Sequence, residues 1–213
     1  MRIGELAKLT GVSVPTIKYY VREGLLPPGE RTSPNQVRYG SAHVRRIKLI
    51  RAMLEVGGLS VAAARDVVGE LGSPERTVHG MLGVAQSAVT RSAAGRGAGE
   101  EWERAEHDVR ELVRRRGWAV KPENPGWQAL VQIVVTYRDL DREDLLTLLD
   151  AYAEAAGRLA EAELAKIAGV AGTDGKAEGV VLGTVLGDAA MAALRRIAQE
   201  DASARVQAGY WSA

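Results

Sequence analysis

The chain has 213 residues, 46% hydrophobic and 26% charged, typical of a folded protein with room for one large domain or two smaller ones. It has no cysteine, which excludes disulfides, thiolate nucleophiles and thiolate metal sites. Its net charge of +1 hides an uneven distribution, because residues 1–72 carry 11 Lys+Arg against 6 Asp+Glu and the remainder carries 17 against 21. A basic N-terminal part, here called the head, therefore precedes an acidic body.

Neither a leader peptide nor a membrane span is predicted. Met1 and Arg2 lead directly into an amphipathic segment, unlike the start of a signal peptide. The most apolar run, Val180 to Leu186, is far shorter than the ~20 residues of a spanning helix, and Asp188 follows it. We therefore expect a cytoplasmic protein without a membrane partner.

Two short helices joined by a glycine turn are predicted at the N terminus. The first runs from Ile3 to Leu9 and ends before Gly11, since glycine accepts a left-handed conformation. Ser13 is predicted to cap the second helix, which continues to about Glu23. This is the sequence pattern of a helix-turn-helix.

A small basic hairpin is predicted next. Leu25–Leu26 and residues 36–39 are expected to pair through a turn at Pro34-Asn35. The hairpin contains Arg31 and Arg38. These arginines are suited to contact the stretch of DNA backbone adjacent to the one that the helices contact. It would form the wing of a winged helix-turn-helix.

Helix patterns dominate the rest of the chain, so the predicted fold class is all-α with a small β wing. Serine, asparagine and aspartate before an apolar periodic segment are helix-start signals. The predicted caps are Ser41, Ser60, Ser73 (followed by Pro74), Asn124 (followed by Pro125) and Asp141. The corresponding helices are predicted at about 42–56, 61–71, 74–94, 125–138 and 142–170, with two more at about 100–116 and 177–206.

The second helix presents a basic face. Lys18 and Arg22 are four residues apart and therefore lie on the same side, with Tyr19 beside them. Cationic groups and phenol hydroxyls are what a helix needs to bind phosphates and reach base edges in a major groove. The alternative is a small helical domain whose basic residues are only solvated.

Three stretches of the head carry a family resemblance: Arg2 to Ala7, Gly11 to Pro27, and Val37 to Tyr39. Their order of cap, tyrosine pair, arginine and Arg-Tyr wing resembles the MerR family of transcription regulators over about residues 1–72. Lys18 is a departure, because that family usually has arginine there. Lysine keeps the charge and loses the bidentate fork, so base discrimination at this position is expected to be softer.

The resemblance implies a winged helix-turn-helix that dimerises on an inverted repeat in double-stranded promoter DNA and distorts it, with RNA polymerase as a further partner. Lys18 would face bases, the tyrosine pair would hold phosphates, and the wing pair would clamp the neighbouring backbone. The DNA-binding residues that it implies are Thr16, Lys18, Tyr19, Tyr20, Arg22, Arg38 and Tyr39.

Three domains are predicted: 1–72 for DNA binding, 73–116 as connector and dimerisation helices, and 117–213 as an effector-sensing bundle. The connector has a short heptad seam, which ends at the glycine-rich stretch 92–99. Its members are Val78, Leu82, Ala85 and Val89. The helix after Ser73 makes a compact dimer contact, the helix at 100–116 shares that contact, or both pack within one monomer.

No catalytic constellation is recognisable. The histidines His43, His79 and His107 are scattered and have no metal-ligand spacing, so we expect no enzyme activity, no cofactor and no metal. The acidic residues Asp150, Glu154 and Glu161 share one stripe of their helix and are expected to form its solvated face, opposite an apolar side.

Two features of the body fit a small-molecule pocket as well as a packed core. Gly179, Gly183 and Gly187 recur every four residues, which indicates tight helix packing or a flat ligand against the helix. The aromatic residues of the body are core residues or line an amphipathic pocket. The candidate ligand-binding residues are Trp127, Tyr137, Tyr152 and Gly183.

The function predicted from the sequence is a dimeric transcription regulator of the MerR type that responds to a small organic effector. Binding of the effector would change the angle between the two heads, which requires different affinities for two states. The alternative is an architectural or recombination-type DNA-binding protein whose helical body recruits a protein partner without a small ligand.

Overall fold

The computed structural model describes residues 1–33, 36–73, 75, 77–90 and 97–207. These residues form helices and one two-stranded antiparallel sheet, which confirms the predicted fold class. They group into two compact units. Unit 1 contains the described residues of Met1–Arg76 and Val180–Ala213, and unit 2 is Thr77–Gly179.

Unit 1 contains four short helices, the sheet and most of a long C-terminal helix. A wider π-type turn at Ala52–Val56 extends the third helix. Its elements in chain order are α1 (Ile3–Thr10), α2 (Val14–Arg22), β1 (Glu30–Ser33), β2 (Gln36–Arg38), α3 (Ser41–Arg51) and α4 (Val61–Leu71).

The regular secondary structure of unit 2 consists of helices in its described residues, and its last helix continues into unit 1. A 3-10 turn at Glu143–Thr147 precedes the fourth of its helices. Its helices are α5 (Val78–Val89), α6 (Glu100–Arg115), α7 (Pro125–Asp139), α8 (Leu148–Ala168) and α9 (Thr173–Gln207). The units differ from the three predicted domains because α9 contributes to both units, and the three-domain division stays a prediction.

Side-chain caps start three of the helices where the sequence predicts them. The hydroxyl of Ser13 accepts the amide N–H of Thr16 at 3.2 Å, which starts α2. The hydroxyl of Ser60 does the same for α4, and the Asn124 side chain caps α7, with proline at the first helical position. Gly11 lies in the left-handed region at φ 70° and ends α1 as predicted.

Leu25 and Leu26 correct the predicted hairpin. Both are buried, and their amides donate to the carbonyl of Tyr20 at 2.9 and 3.1 Å, so they close the end of α2. The first strand is β1 instead, and Arg31 pairs with Val37 across the sheet. Two adjacent leucines at the end of a helix are more favourably buried in the core than exposed on a solvated strand. The predicted turn at residues 34–35 lies outside the described residues.

Three predicted helix starts are also corrected. Thr77, not Ser73, caps α5, since its hydroxyl accepts the amide of Gly80 at 3.0 Å. Gly40, not Ser41, precedes α3, and its amide donates to Nδ1 of His43 at 3.1 Å. Asp141 has φ 54°, which is a left-handed conformation that ends a helix, so the 3-10 turn and α8 start after it.

Other predicted boundaries differ in extent. The last helix begins at Thr173, four residues before the predicted start. The connector helix ends at Val89 in the described residues, and Pro74 and residues 91–96, which include part of the predicted break, lie outside them.

The core of unit 1 joins the short helices to α9. Its fully buried side chains include Leu6, Ile17, Leu25, Leu26, Ile47, Ile50, Met53 and Val67. Val180, Val181 and Val185 of α9 are also buried. Gly57 lies directly against Val185, because a Cβ atom built at Gly57 would overlap a methyl group of that valine.

The core of unit 2 lies between α6 and α7. Its buried members are Trp102, Ala105, Val109, Trp127, Val131 and Val134. An ion pair between Arg138 and Asp108 joins the same two helices. The connector α5 contacts α7, and the amide group of Asn124 donates to the Gln86 side chain at 3.2 Å. The buried face of α5 consists of Met81 and Ala85, whereas Leu82 of the predicted seam is only partly buried.

Helix α8 is mostly exposed. Asp150, Glu154 and Glu161 are exposed as predicted. The carboxylate of Asp150 forms ion pairs with Arg115 and Arg116. The side predicted to be apolar is not a core face, however. Tyr152 is 40% exposed and Leu159 is 36% exposed, so these side chains have little cover within the described chain.

Candidate nucleic-acid interface

The exposed face of α2 presents the side chains predicted to reach DNA. Lys18 is exposed, and the Arg22 side chain is 72% exposed. The guanidinium of Arg22 lies 5.2 Å from the centre of the Tyr19 ring, a cation–π contact that orients both groups. Thr16 is half-buried, and its hydroxyl shares a 2.7 Å hydrogen bond with the hydroxyl of Ser13.

Tyr20 has a different environment from its neighbour Tyr19. Tyr20 is only 6% exposed and lies with the core of unit 1. Burial raises the pKa of its hydroxyl above 10.0, and the nearby carboxylate of Glu55 raises it further, while Arg51 acts in the opposite direction. The part of Tyr20 that could reach a phosphate is therefore small.

The wing is fixed to the start of the chain by two hydrogen bonds. The amide of Tyr39 donates to the carbonyl of Met1, and the terminal ammonium of Met1 donates to the carbonyl of Tyr39, each at 2.9 Å. The ring of Tyr39 meets His43 edge to face, with centroids 5.1 Å apart. Gly29 lies under the wing, where a Cβ atom would be 2.7 Å from the carbonyl oxygen of Arg38.

A groove of about 860 Å³ lies between α2 and the wing. It brings together three of the predicted DNA-binding residues, Lys18, Arg38 and Tyr39, and leaves Thr16, Tyr19, Tyr20 and Arg22 outside its lining. The complete lining is Met1, Arg2, Ile3, Glu5, Lys18, Gln36, Val37, Arg38 and Tyr39. The described residues give neither Lys18 nor Arg38 an ion-pair partner, so the groove carries positive charge that a phosphate could neutralise.

Arg2 and the Met1 ammonium are the groove residues that sequence reasoning missed. Their position depends on the pairing of Met1 with Tyr39, a contact across 38 residues that no local pattern encodes. The only available signal was the positive charge at the start of the chain.

Several other basic residues of the head are structural. Arg51 donates to the carbonyl of Thr10 at 3.3 Å and pairs with Glu55 at 2.7 Å. Arg65 donates to the carbonyl of Glu23 at 2.7 Å and to its carboxylate at 2.9 Å. Such groups are already paired, so the excess of basic residues in the head overstates the charge available to DNA.

The four candidate ligand residues belong to different units and have different environments, and their role in binding an effector stays a prediction. Trp127 is a core residue of unit 2 with 6% exposure, Tyr137 is half-buried, and Tyr152 is exposed on α8. Gly183 belongs to unit 1. A cleft of about 200 Å³ in unit 2 contains none of them and is lined by Asp108, Glu111, Leu112, Arg115, Val134, Leu146, Leu149 and Asp150. Among the described residues no cluster of His, Asp and Glu could hold a metal ion.

Comparison with known proteins identifies relatives of the head. A family model described as "MerR HTH family regulatory protein" matches residues 1–71. The HTH-type transcriptional regulator ZntR homolog of Haemophilus influenzae is 48% identical over 50 residues, which are 24% of this chain and 37% of that protein. The mercuric resistance operon regulatory protein of Bacillus cereus is 46% identical over 56 residues, 26% of this chain and 42% of that protein.

A solved structure is similar over nearly the whole chain. It is SCO5550 from Streptomyces coelicolor A3(2), which is assigned as a transcriptional regulator. The two proteins are 35% identical with a TM-score of 0.72, and the match covers 96% of this chain and 97% of that one. The curated relatives, by contrast, are matched over less than half of their length. The chain belongs to the MerR family of regulators and carries the family's helix-turn-helix domain at its N terminus.

Proposed function

We propose that the protein is a DNA-binding transcription regulator, not an enzyme, and that its head docks on promoter DNA. The observation that carries this proposal is the groove between α2 and the wing, where Lys18, Arg38, Tyr39 and Arg2 converge. Cationic groups beside a helix that fits a major groove are the requirements for backbone binding and base readout.

The two sides of the groove have different tasks in this proposal. Lys18 on α2 reaches base edges, and Arg38 and Arg2 neutralise phosphates of the adjacent backbone. Since Tyr39 is held by main-chain hydrogen bonds to Met1 at both its amide and its carbonyl, the wing is pre-positioned for that backbone. Phosphate contacts of this kind make binding strongly dependent on salt.

The proposal extends to a cytoplasmic dimer that binds an inverted repeat, acts with RNA polymerase and senses a small organic effector through unit 2. The acidic excess beyond residue 72 supports docking through the head alone, because that part of the chain repels DNA. The candidate effector contacts are those predicted from the sequence, Trp127, Tyr137, Tyr152 and Gly183.

The DNA-binding proposal is tested with duplexes selected from a random pool and then measured by fluorescence anisotropy. Arg38→Ala is expected to weaken binding to all selected duplexes by a similar factor, whereas Lys18→Ala also relaxes base preference. Arg110→Ala is the matched control, since Arg110 is an exposed arginine of unit 2 that lies outside the groove. Equal affinity for the Arg38→Ala and Arg110→Ala proteins would contradict the assignment of the wing.

The dimer and effector parts are tested by native mass spectrometry of the purified full-length protein. The expected result is twice the monomer mass with a bound small molecule that changes the DNA footprint. A dimer that binds DNA with no co-purifying molecule and recruits a protein instead would favour the architectural alternative.

A further inference from the structure

The two strands of the wing bury no side chain of their own. Every residue of β1 and β2 is exposed, and a two-stranded hairpin is only marginally stable without a packed face. The position of the wing therefore depends on the half-buried Tyr39, which follows β2. The Tyr39 ring lies close to Gly29, where a Cβ atom would be 3.0 Å from its Cε1, and it meets the His43 ring edge to face. His43 thus joins α3 to the side chain that anchors the wing.

His43 is also bonded in both directions to Gly40, the residue between Tyr39 and α3. The main-chain amide of His43 donates to the carbonyl of Gly40, and Nδ1 of its ring accepts the Gly40 amide, each at 3.1 Å. A ring nitrogen that accepts an N–H carries no proton itself. The contact therefore assigns a neutral imidazole with its proton on Nε2.

The position of the His43 ring is unsuited to a second proton. Protonation would place an N–H at Nδ1 against the N–H of Gly40, so that two donors face each other. Nε2 is buried, and the described residues give it no hydrogen-bond partner. Burial of a charged group without partners is costly, and a cation in the first turn of a helix is repelled by the positive end of the helix dipole. The charged ring therefore has to leave this position.

The elements next to His43 offer the charged ring little compensation. Helix α1 packs against α3, and the wing ends beside it. The charged or titratable groups of these elements are Met1, Arg2, Glu5 and Lys8 at the start of the chain, Arg38 and Tyr39 of the wing, and Arg45 and Arg46 of α3. Glu5 is the only carboxylate among them, and it already accepts the amide of Arg2 at 2.7 Å.

We propose that His43 is a positioning residue for DNA binding, which holds the Tyr39 ring, and hence the wing, in place only while its imidazole is neutral. The inference rests on the proposed docking of the head on DNA and makes that docking dependent on pH. The state with the ring in place and the state with the ring released differ in affinity for a proton, so acid favours the released wing. Arg38 precedes Tyr39 and lines the DNA groove, so release lowers the affinity for DNA.

A positive charge without any positioning role would have the opposite effect. A proton on a solvated histidine beside the groove would attract phosphates and strengthen binding at low pH. The sign of the pH dependence therefore separates positioning from added charge.

The pH dependence is tested with the full-length protein and a selected duplex, by anisotropy at pH 7 and pH 5 and constant ionic strength. Histidine side chains change charge over this interval. The wild-type protein is expected to bind about tenfold more weakly at pH 5, the effect of losing one hydrogen-bonded contact.

Two variants of His43 separate the hydrogen bond from the charge. His43→Gln is expected to keep the wild-type affinity at both pH values, because a glutamine carbonyl at the third helical position accepts the same amide and does not titrate. His43→Leu is expected to bind about tenfold more weakly at both pH values, since it has no acceptor. His107→Gln, at an exposed position of α6, is the matched control and is expected to follow the wild type.

The profiles decide the proposal. Parallel profiles for the wild type and His43→Gln would overturn it, as would tighter binding of the wild type at pH 5. The comparison with His43→Gln is decisive even where His43→Leu does not fold, and thermal melts at both pH values identify that case. Wild-type affinity in a folded His43→Leu at pH 7 would also overturn the proposal.

The route through Tyr39 is tested by a double-mutant cycle at pH 7. If His43 acts by holding the Tyr39 ring, His43→Leu is expected to weaken binding by less than about twofold when Tyr39→Leu is already present. A further tenfold loss in that background would show that His43 acts without Tyr39 and would contradict the positioning role.

The tautomer is tested without DNA, by 15N NMR of the full-length protein labelled at histidine. The ring signal that disappears in His43→Gln is expected to show a proton on Nε2 and none on Nδ1 at pH 7. A proton on Nδ1 would overturn the proposal. A wild-type protein that binds no duplex at either pH would reject the proposed function, whereas DNA binding with the same flat profile as His43→Gln would reject only the role of His43.

Discussion

The head and unit 2 use their arginines differently. In the head, Arg46, Arg51 and Arg65 donate to main-chain carbonyls that are 22, 41 and 42 residues away, so they join distant segments. In unit 2, Arg115, Arg116 and Arg138 also reach residues 30 to 35 positions away, but they pair with carboxylates. Arg110 and Arg114 pair with acids one turn away on their own helix. Long-range bonds fix a shape, whereas pairs within a helix contribute only a few tenths of a kcal/mol.

Cations without an ion-pair partner among the described residues give the head its recognisable chemistry. Of the cations of the head other than the three arginines that bond to distant carbonyls, Lys18, Arg38 and Arg2 line one groove. The charges of unit 2 named above are paired within that unit. Substitutions matched between the two regions test this contrast between a tightly packed head and the more exposed helices of unit 2.

The largest effect is expected from a cavity in the head. Leu25→Ala removes a side chain that is fully buried next to α2, so we expect a loss of about 2–5 kcal/mol of unfolding free energy. Leu164→Ala is the matched change on α8, where the side chain is 43% exposed, and is expected to cost less than about 1 kcal/mol. Urea denaturation followed by circular dichroism measures both. Equal losses would show that the head is not the more tightly packed region.

The contact of α9 with the head gives the next largest effect. Gly57→Ala places a methyl group against Val185 and is expected to cost about 1–3 kcal/mol. Gly69→Ala in α4 meets no atom within 4 Å and is expected to stabilise by up to about 1 kcal/mol, as alanine favours helix. The double variant Gly57→Ala, Val185→Ala should recover part of the loss, and strict additivity in the thermal melts would refute this contact.

The sequence predicted the local features of the fold well. The caps at Ser13, Ser60 and Asn124 follow from side chains that bond to amides three or fewer residues away, so they needed no tertiary information. Thr77 was missed because Ser73 offered an equally good cap four residues earlier. Leu25 and Leu26 were misassigned because burial beneath α2 is a tertiary property.

The candidate site was predictable only in part. Lys18, Arg38 and Tyr39 were predictable from residue type and motif order, and the structure brings them to one groove. The addition of Arg2 depends on a contact between Met1 and Tyr39 that local patterns do not encode. The exposure of Tyr152 and Leu159 likewise depends on what packs against α8, so periodicity alone gave the wrong environment.

A pair of arginine variants separates the two roles within the head. Arg38→Ala is expected to weaken DNA binding about tenfold and to leave stability unchanged, because the side chain is free of ion pairs in the described chain. Arg65→Ala is expected to lower stability by less than about 1 kcal/mol, since its ion pair with Glu23 is half exposed, and to leave affinity for DNA unchanged. Both variants are measured by anisotropy for DNA affinity and by denaturation for stability. Loss of affinity in Arg65→Ala and loss of stability in Arg38→Ala would show that the two roles are assigned the wrong way round.

The smallest effect concerns Tyr20. Its pKa is raised by burial, so the folded state keeps the hydroxyl neutral while the unfolded chain ionises near pH 10. Stability from this residue is therefore present below pH 10 and is lost as the pH rises through the ordinary tyrosine range. Tyr20→Phe is expected to flatten the alkaline limb of the pH–stability profile, whereas Tyr19→Phe is not. A profile changed equally by both variants would place Tyr20 outside the core.

The central claim is that Arg38 neutralises a phosphate next to the groove that holds Lys18. The most direct measurement is the salt dependence of binding to a selected duplex between about 50 and 200 mM salt, for the wild-type protein and for Arg38→Ala. The account predicts that the slope of log affinity against log salt falls by about 0.9 for each phosphate that the wing no longer neutralises. An unchanged slope would contradict it, because the wing would then make no phosphate contact.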